Sequence, residues 1–128
     1  MANGLPVYLS PMKSVFRPLI LISALLAGSV LADTQAEIDH LLSFVANTSC
    51  QYDRNGTIYE GAEARNHINM KYKHYKRKVK TTEDFIKYSA TKSMISGRKY
   101  KIHCPGSETV NASDWLLEEL HHYRASHK

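Results

Sequence analysis

Four segments of the chain repeat their hydrophobic residues with the period of an α-helix. They cover about residues 35–46, 61–75, 82–91 and 114–124. In the first segment the side chains spaced at i, i+3, i+4 and i+7 are Ile38, Leu41, Leu42 and Val45. Thr34 and Glu37 have the spacing of a capping box, which predicts that this helix begins close to residue 35.

Residues that favour helix N-termini precede two of the other segments. Thr81 is placed to cap a helix whose first turn carries Glu83 and Asp84. Ser113 precedes Asp114 in the same way. Acidic side chains in the first turn are favourable because the helix dipole is positive there. We therefore expect helix N-caps at Thr81 and Ser113.

Alternation of apolar and polar residues predicts three strands. Asn55-Gly56 separates two alternating runs, and a type I′ turn needs the positive φ angles that this pair tolerates. A β-hairpin is therefore predicted over about residues 50–60. The alternation returns over residues 100–104, which predicts a third strand with one face in water.

The predicted order of elements is α-β-β-α-α-β-α. This order indicates a single α+β domain, in which a small antiparallel sheet of three strands packs against about four helices. The chain has 128 residues, of which 43% are hydrophobic and 23% charged. This composition is typical of a globular domain and excludes a disordered chain. No period typical of a repeat array occurs.

The N-terminal segment has the layout of a secretory signal peptide. Lys13 and Arg17 supply positive charge, and a mostly apolar run follows over residues 19–31. Small residues end the segment at Ala32, so cleavage is predicted before Asp33. The run is shorter than the roughly 20 residues that a membrane-spanning helix needs, and an uncleaved anchor is the alternative.

This signal assigns the chain to the periplasm or the exterior. Residues 1–32 are interpreted as an extension and signal peptide, with the natural start at Met12, and residues 33–128 as one mature domain. Loss of Lys13 and Arg17 lowers the formal net charge from +5 to +3. This mild charge, together with export, argues against nucleic acid as a partner.

Both cysteines of the chain, Cys50 and Cys104, lie in the predicted mature domain. Two cysteines in a small domain usually pair in an oxidising compartment. Closing a loop of this length stabilises a fold by about 4 kcal/mol in the chain-entropy model. A reactive thiol pair is the alternative, but the C-x-x-C spacing typical of one does not occur. A Cys50–Cys104 disulfide is therefore predicted.

An ordered set of residues runs through the predicted mature domain. It consists of Arg54-Asn55-Gly56, Glu63-Ala64, His67-Ile68, Lys71, Lys80-Thr81, Glu83, Phe85-Ile86, Ala90, Ser93, Ser96-Gly97 and Tyr100. Over about residues 36–124 this set resembles the YfeK-like family of small exported Gram-negative proteins. That family is a domain of unknown function. The resemblance implies a periplasmic location and brings no activity, cofactor or catalytic residue.

The densest positive charge in the chain covers residues 71–80, which we call the basic segment. Its basic and aromatic candidates for binding are Lys71, Tyr72, Lys73, Tyr75, Lys76, Arg77, Lys78 and Lys80. Such a segment attracts anionic surfaces, including phospholipid head groups, lipopolysaccharide or an acidic partner. The alternative is a solvated helix end, where cations are favourable in themselves.

A second polar set combines Arg54, Glu63, His67, Lys71 and Ser93. Arg54 and Glu63 flank the passage from the hairpin to the second helix, and His67 and Lys71 follow Glu63 on the same helix face. On a concave surface this set is a candidate site for an anionic or peptide ligand. The alternative is a structural network of ion pairs.

Signals for catalysis and metal binding are weak. The chain has no G-x-S-x-G sequence, no glycine-rich phosphate loop and no cofactor motif. His67 and His74 lie two helical turns apart and need a third ligand, such as Glu63 or His103, to hold a metal ion. An enzyme remains an alternative, as a small periplasmic hydrolase that uses His67 and a serine such as Ser93.

The sequence therefore favours a small exported binding or interaction protein over an enzyme. The expected partner is an envelope protein or an anionic envelope component, and contact with a membrane surface agrees with the same charge pattern. Inhibition of a partner enzyme is a second form of the same hypothesis. No cofactor is expected.

Overall fold

A computed structural model describes residues 22–128, with side chains from Asp33 onward. Most of the predicted signal peptide, including Met12, Lys13 and Arg17, lies outside the described residues. Contacts between Cα atoms group the chain into two units, Met1–Leu31 and Ala32–Lys128. The second unit contains the sheet, both cysteines and every described core residue.

The first helix, α1, covers Ile22–Ala46. The prediction that it begins close to residue 35 is therefore wrong, because Thr34 lies within the helix. The capping-box spacing misleads here, since the residues that precede Thr34 are also compatible with a helix. Among the described residues, no helix is long and apolar enough to cross a membrane.

The predicted hairpin is confirmed. Strands β1 (Gln51–Arg54) and β2 (Thr57–Tyr59) pair antiparallel around Asn55 and Gly56, whose φ angles are 56° and 91°. The Asp53 carboxylate accepts a hydrogen bond of 2.7 Å from the Gly56 amide. These positive φ angles are those of a type I′ turn, which matches the twist of the strands.

The sheet has four strands, so the prediction of three is wrong. Strand β3 (Lys101–His103) pairs with β1, and a short strand β4 (Val110–Asn111) pairs with the other edge of β3. The order is β2-β1-β3-β4, with every neighbouring pair antiparallel. The two residues of β4 are too few to show an alternating pattern.

Three further helices lie within the described part of the chain. They are α2 (Gly61–Tyr75), α3 (Thr82–Ser89) and α4 (Ala112–Ser126), and a short 3₁₀-helix (Lys76–Lys78) follows α2. The predicted cap of α3 is confirmed, since the Thr81 hydroxyl accepts from the Asp84 amide at 3.1 Å. The predicted cap of α4 at Ser113 is wrong. Asn111 precedes the helix instead, because α4 begins directly where β4 ends.

One hydrophobic core joins the sheet to the helices. Its members include Ile38, Leu41, Val45, Tyr52, Ile68, Phe85, Ile102, Leu116 and Leu120. The Tyr52 hydroxyl lies in this core and donates to the Ala90 carbonyl at 3.0 Å. Burial raises the pKa of Tyr52, so this phenol stays neutral.

The predicted disulfide between Cys50 and Cys104 is present. The register between β1 and β3 explains it, because Gln51 lies opposite His103 and the cysteines are the next pair along the two strands. The cross-link therefore joins the two central strands of the sheet at one end.

Candidate functional site

An open groove of about 300 Å³ lies between α2 and the loop that joins α3 to β3. We call it the cationic groove. Its lining includes Arg54 at the end of β1, Lys71 of α2, and Ser93 and Tyr100 of the loop. Three residues of the predicted polar set, Arg54, Lys71 and Ser93, are thereby brought to one place.

Arg54 lies between two tyrosine rings. Its guanidinium carbon is 5.5 Å from the ring centre of Tyr59 and 5.4 Å from that of Tyr100. These are distances at which a cation is attracted to an aromatic face. The Nε atom of Arg54 is buried and has no hydrogen-bond partner within the described residues. A buried donor of this kind is rare in folded proteins.

Lys71 of α2 is held by hydrogen bonds to the loop between α3 and β3. Its ammonium group donates to the Lys92 carbonyl at 2.8 Å and to the Tyr100 hydroxyl at 3.2 Å. It also lies 4.9 Å from the ring centre of Tyr100. In the described part of the chain neither Lys71 nor Arg54 pairs with a carboxylate. Two cations therefore share one tyrosine, with no acidic side chain to neutralise them.

His67 lies beside this pair of cations. Its ring packs edge-on against Tyr59, with ring centres 4.6 Å apart. Burial and the nearby Arg54 guanidinium lower the pKa of His67 from its ordinary value of 6.5, although Glu63 acts in the opposite direction. Both causes disfavour the imidazolium form. At neutral pH the groove therefore carries the charges of Arg54 and Lys71 next to a neutral imidazole.

Ser93 is part of a tight turn. Its hydroxyl oxygen accepts hydrogen bonds from the amides of Ile95 and Ser96, at 3.3 and 3.2 Å. Among the described residues, no serine hydroxyl lies within hydrogen-bond distance of His67. The hydrolase hypothesis, which needs such a pair, stays a prediction.

The structure distributes the basic segment over two surfaces. Lys73, Lys76, Arg77 and Lys78 are exposed at the end of α2 and in the 3₁₀-helix. Lys71 belongs to the cationic groove instead. Lys71 is thus the one lysine of the basic segment that lines the groove within the described residues.

The two predicted contact tyrosines of the basic segment also differ in their surroundings. Tyr72 packs edge-on against Phe85 of the core, with ring centres 5.2 Å apart. Tyr75 stacks against Tyr88 at 5.8 Å and borders the cationic groove. The Lys78 ammonium group lies 6.0 Å from the Tyr75 ring centre. Of the two, Tyr75 is the one placed to contact a ligand in the groove.

The sequence analysis missed Tyr59 and Tyr100 as members of the site. Both were interpreted only as strand residues, yet their rings hold the Arg54 side chain. A signal was present for Tyr59, because the two-residue Asn55-Gly56 turn fixes the register that places it opposite Tyr52 on β1. Tyr100 gave no such signal, because it reaches Arg54 from the end of the loop before β3.

The remaining candidate metal ligands lie apart. His103 contacts Asp53 at 3.0 Å and Thr109 at 2.8 Å on the sheet, whereas His74 packs against Tyr75. The contact with His103 is the largest cause of the lowered pKa of Asp53. Within residues 33–128 no group of three or more His, Cys, Asp or Glu side chains is placed to hold a metal ion.

The fold and the groove together define the class: a small mixed α/β domain with a four-stranded antiparallel sheet, a disulfide and a cationic groove. Residues 32–124 match the family of unknown function DUF5329. The chain belongs to this family. No curated protein and no solved structure matches the chain.

Proposed function

We propose that this chain is a small exported binding protein of the YfeK-like kind, which recognises an anionic component of the cell envelope in the cationic groove. The signal-peptide pattern of the N-terminus supports export, and the positive charge of the groove supports binding of an anion. Arg54 and Lys71 are the residues that bind the anion, and Tyr59 and Tyr100 position them.

The observation that carries the proposal is the unpartnered, buried Nε atom of Arg54. A guanidinium that is half-buried between two rings has lost part of its hydration, and its buried Nε has no acceptor within the described residues. Structural arginines of this kind usually meet a carboxylate. Here the unused donors lie beside a second cation at the edge of an open groove, so an external anion completes the arrangement.

The test is an NMR titration of residues 32–128, the unit that carries the described core. The probe is dihexanoyl phosphatidylglycerol below its micelle concentration, and the neutral comparison is dihexanoyl phosphatidylcholine. We expect the anionic probe to shift the amide signals of Arg54, Lys71 and Tyr100. Because charged donors contribute most to such binding, Arg54→Gln should weaken it at least tenfold.

Arg65→Gln is the matched control, because Arg65 lies on the same α2 helix but outside the cationic groove. This variant should bind the probe as the parent does. Equal shifts with the anionic and the neutral probe would show that the groove does not recognise charge. Unchanged binding by Arg54→Gln would place the site elsewhere. Inhibition of a partner enzyme, the second form of the sequence hypothesis, stays a prediction.

A further inference from the structure

The loop over residues 92–99 has a defined shape. Lys92 and Lys99 form a bridge at its base, and the Ser93 amide donates to the Arg98 carbonyl at 3.0 Å. The Gly97 amide donates to the Ser93 carbonyl at 2.9 Å, and Gly97 has a φ of 72°. The tip of the loop is therefore held by its own hydrogen bonds.

A contact with the hairpin turn further restrains this loop. The Ser96 hydroxyl donates to the Asn55 side-chain oxygen at 3.2 Å. These contacts restrain the loop, so a partner that meets its tip does not have to order it first.

The tip of the loop is apolar and exposed. Ile95 is 100% exposed and Met94 58%, and Met70 of α2, on the same groove, is 67% exposed. Among the described residues only two other large hydrophobic side chains, Ile58 and Val110, are exposed. Most of the exposed large hydrophobic residues are therefore gathered at this groove, and such clustering marks a contact surface.

The loop and the groove also carry cations. Lys92, Arg98 and Lys99 of the loop are exposed, and Lys71 and Arg54 line the groove. No carboxylate of the described residues forms an ion pair with any of the five, although Arg98 and Lys99 also line a hollow that contains Asp53. An apolar protrusion with a basic rim is the pattern of a segment that lies in the interface of an anionic membrane.

We propose that the 92–99 loop docks this protein onto the surface of an anionic lipid bilayer, with Met94 and Ile95 inserted among the acyl chains. The basic side chains of the loop then meet the head groups, and the cationic groove receives one head-group phosphate. This inference rests on the proposed function and names its ligand as a membrane phospholipid. Membrane lipid is favoured over a peptide because the Ile95 side chain, at the edge of the open groove, is fully exposed.

The experiment is co-sedimentation of residues 32–128 with vesicles of palmitoyl-oleoyl phosphatidylglycerol, compared with vesicles of the neutral phosphatidylcholine. Without the N-terminal apolar run, any binding belongs to the folded unit. We expect binding to the anionic vesicles only. Ile95→Ser should weaken this binding about tenfold, because the isoleucine side chain then loses its burial in the acyl region.

Two variants separate insertion from a general loss of structure. Ile95→Leu keeps an apolar side chain and should bind as the parent does. Ile58→Ser removes an exposed isoleucine of β2 that does not line the groove, and it too should leave binding unchanged. Circular dichroism verifies that all three variants are folded.

Each remaining outcome overturns the inference. Equal binding by Ile95→Ser and the parent would show that the loop does not enter the lipid. If soluble dihexanoyl phosphatidylglycerol shifts the amide signals of the groove but the protein does not bind vesicles, the proposed anion recognition is supported. The anion is then not supplied by a membrane surface. Vesicle binding without groove shifts would contradict the proposed function, and absence of both would overturn the two proposals together.

Discussion

Arg124 of α4 binds the Glu37 carboxylate of α1 through two parallel hydrogen bonds. The Nε and Nη2 atoms donate to the two carboxylate oxygens at 2.7 and 3.0 Å. The same guanidinium donates to both carboxylate oxygens of Glu83 in α3, at 2.8 and 3.1 Å. One arginine near the C-terminus therefore joins three helices. Its hydrogen bonds lower the pKa of Glu37 and of Glu83.

Replacement of Glu37 should destabilise the domain in a pH-dependent way. Glu37→Gln leaves the Arg124 guanidinium and the buried Thr82 hydroxyl with a weaker partner, so we expect a loss of about 1–3 kcal/mol at pH 7. The folded pKa of Glu37 lies below its ordinary value of 4.5, so its contribution is full above that pH and is lost as the pH falls through the folded pKa. The difference from the parent should therefore shrink towards pH 3. Urea unfolding at several pH values measures it.

Glu118→Gln is the control for this experiment. Glu118 is an exposed residue of the same α4 helix and forms no ion pair within the described part of the chain, so its removal should change the free energy of unfolding by less than about 0.5 kcal/mol. A difference between Glu37→Gln and the parent that is independent of pH would contradict the assigned role of the carboxylate.

The disulfide should account for a large part of the stability of this small domain. The two cysteines are 54 residues apart, and opening a loop of this length costs about 4 kcal/mol in the chain-entropy model. Cys50→Ala/Cys104→Ala should therefore unfold at a much lower urea concentration than the oxidised parent. Addition of a reductant should lower the midpoint of the parent and leave that of the double variant unchanged. Two free thiols in the oxidised native protein would contradict the pairing.

Gly61 is required where α2 begins beside the end of α1. A β carbon at this position would collide with the Val45 carbonyl oxygen and would lie 3.0 Å from that of Ala46. Replacement of glycine by alanine within a helix normally stabilises a protein. We expect the opposite for Gly61→Ala, a loss of about 1–3 kcal/mol, because backbone atoms cannot move aside cheaply. The control Asn66→Ala, at an exposed position of α2, should show no loss in thermal unfolding.

The elements with local signals could be predicted from the sequence. The Asn55-Gly56 pair specifies its own turn, and Thr81 with Asp84 specifies its own helix start. Such features depend on neighbouring residues alone. The disulfide was also predictable, since the chain has two cysteines and these leave one pairing.

Features that depend on distant contacts were missed. Strand β4 exists because Val110 and Asn111 meet the free edge of β3, and two residues carry no period of their own. The true start of α4 follows from that pairing, which ends at Asn111. The predicted cap at Ser113 is wrong for this reason: a strand contact decides where the helix begins.

The candidate site shows the same limit. Helical spacing places His67 and Lys71 on one face of α2, but Tyr100 reaches Lys71 from the far end of the α3–β3 connection. The exposed tip of the 92–99 loop is visible only once the hydrogen bonds that close the loop are known.

His67 should report anion binding in the cationic groove. Burial and the Arg54 charge lower its pKa, so a bound anion beside Arg54 should raise that pKa again. By linkage, dihexanoyl phosphatidylglycerol should bind more tightly as the pH falls through the pKa of His67. An NMR titration of the imidazole signals, with and without the probe, measures both effects. A pKa of His67 that does not rise when the probe binds would show that the anion lies away from Arg54.

The exposed cations of the basic segment should contribute little to anion binding in the cationic groove. Replacement of Lys73, Lys76, Arg77 and Lys78 by glutamine removes four charges that do not line the groove. Salt weakens the effect of exposed charges that do not contact the bound anion. This variant should therefore bind dihexanoyl phosphatidylglycerol within about twofold of the parent, whereas Arg54→Gln loses binding. If the four-glutamine variant loses binding and Arg54→Gln keeps it, the basic segment is the binding surface and Arg54 has a structural role.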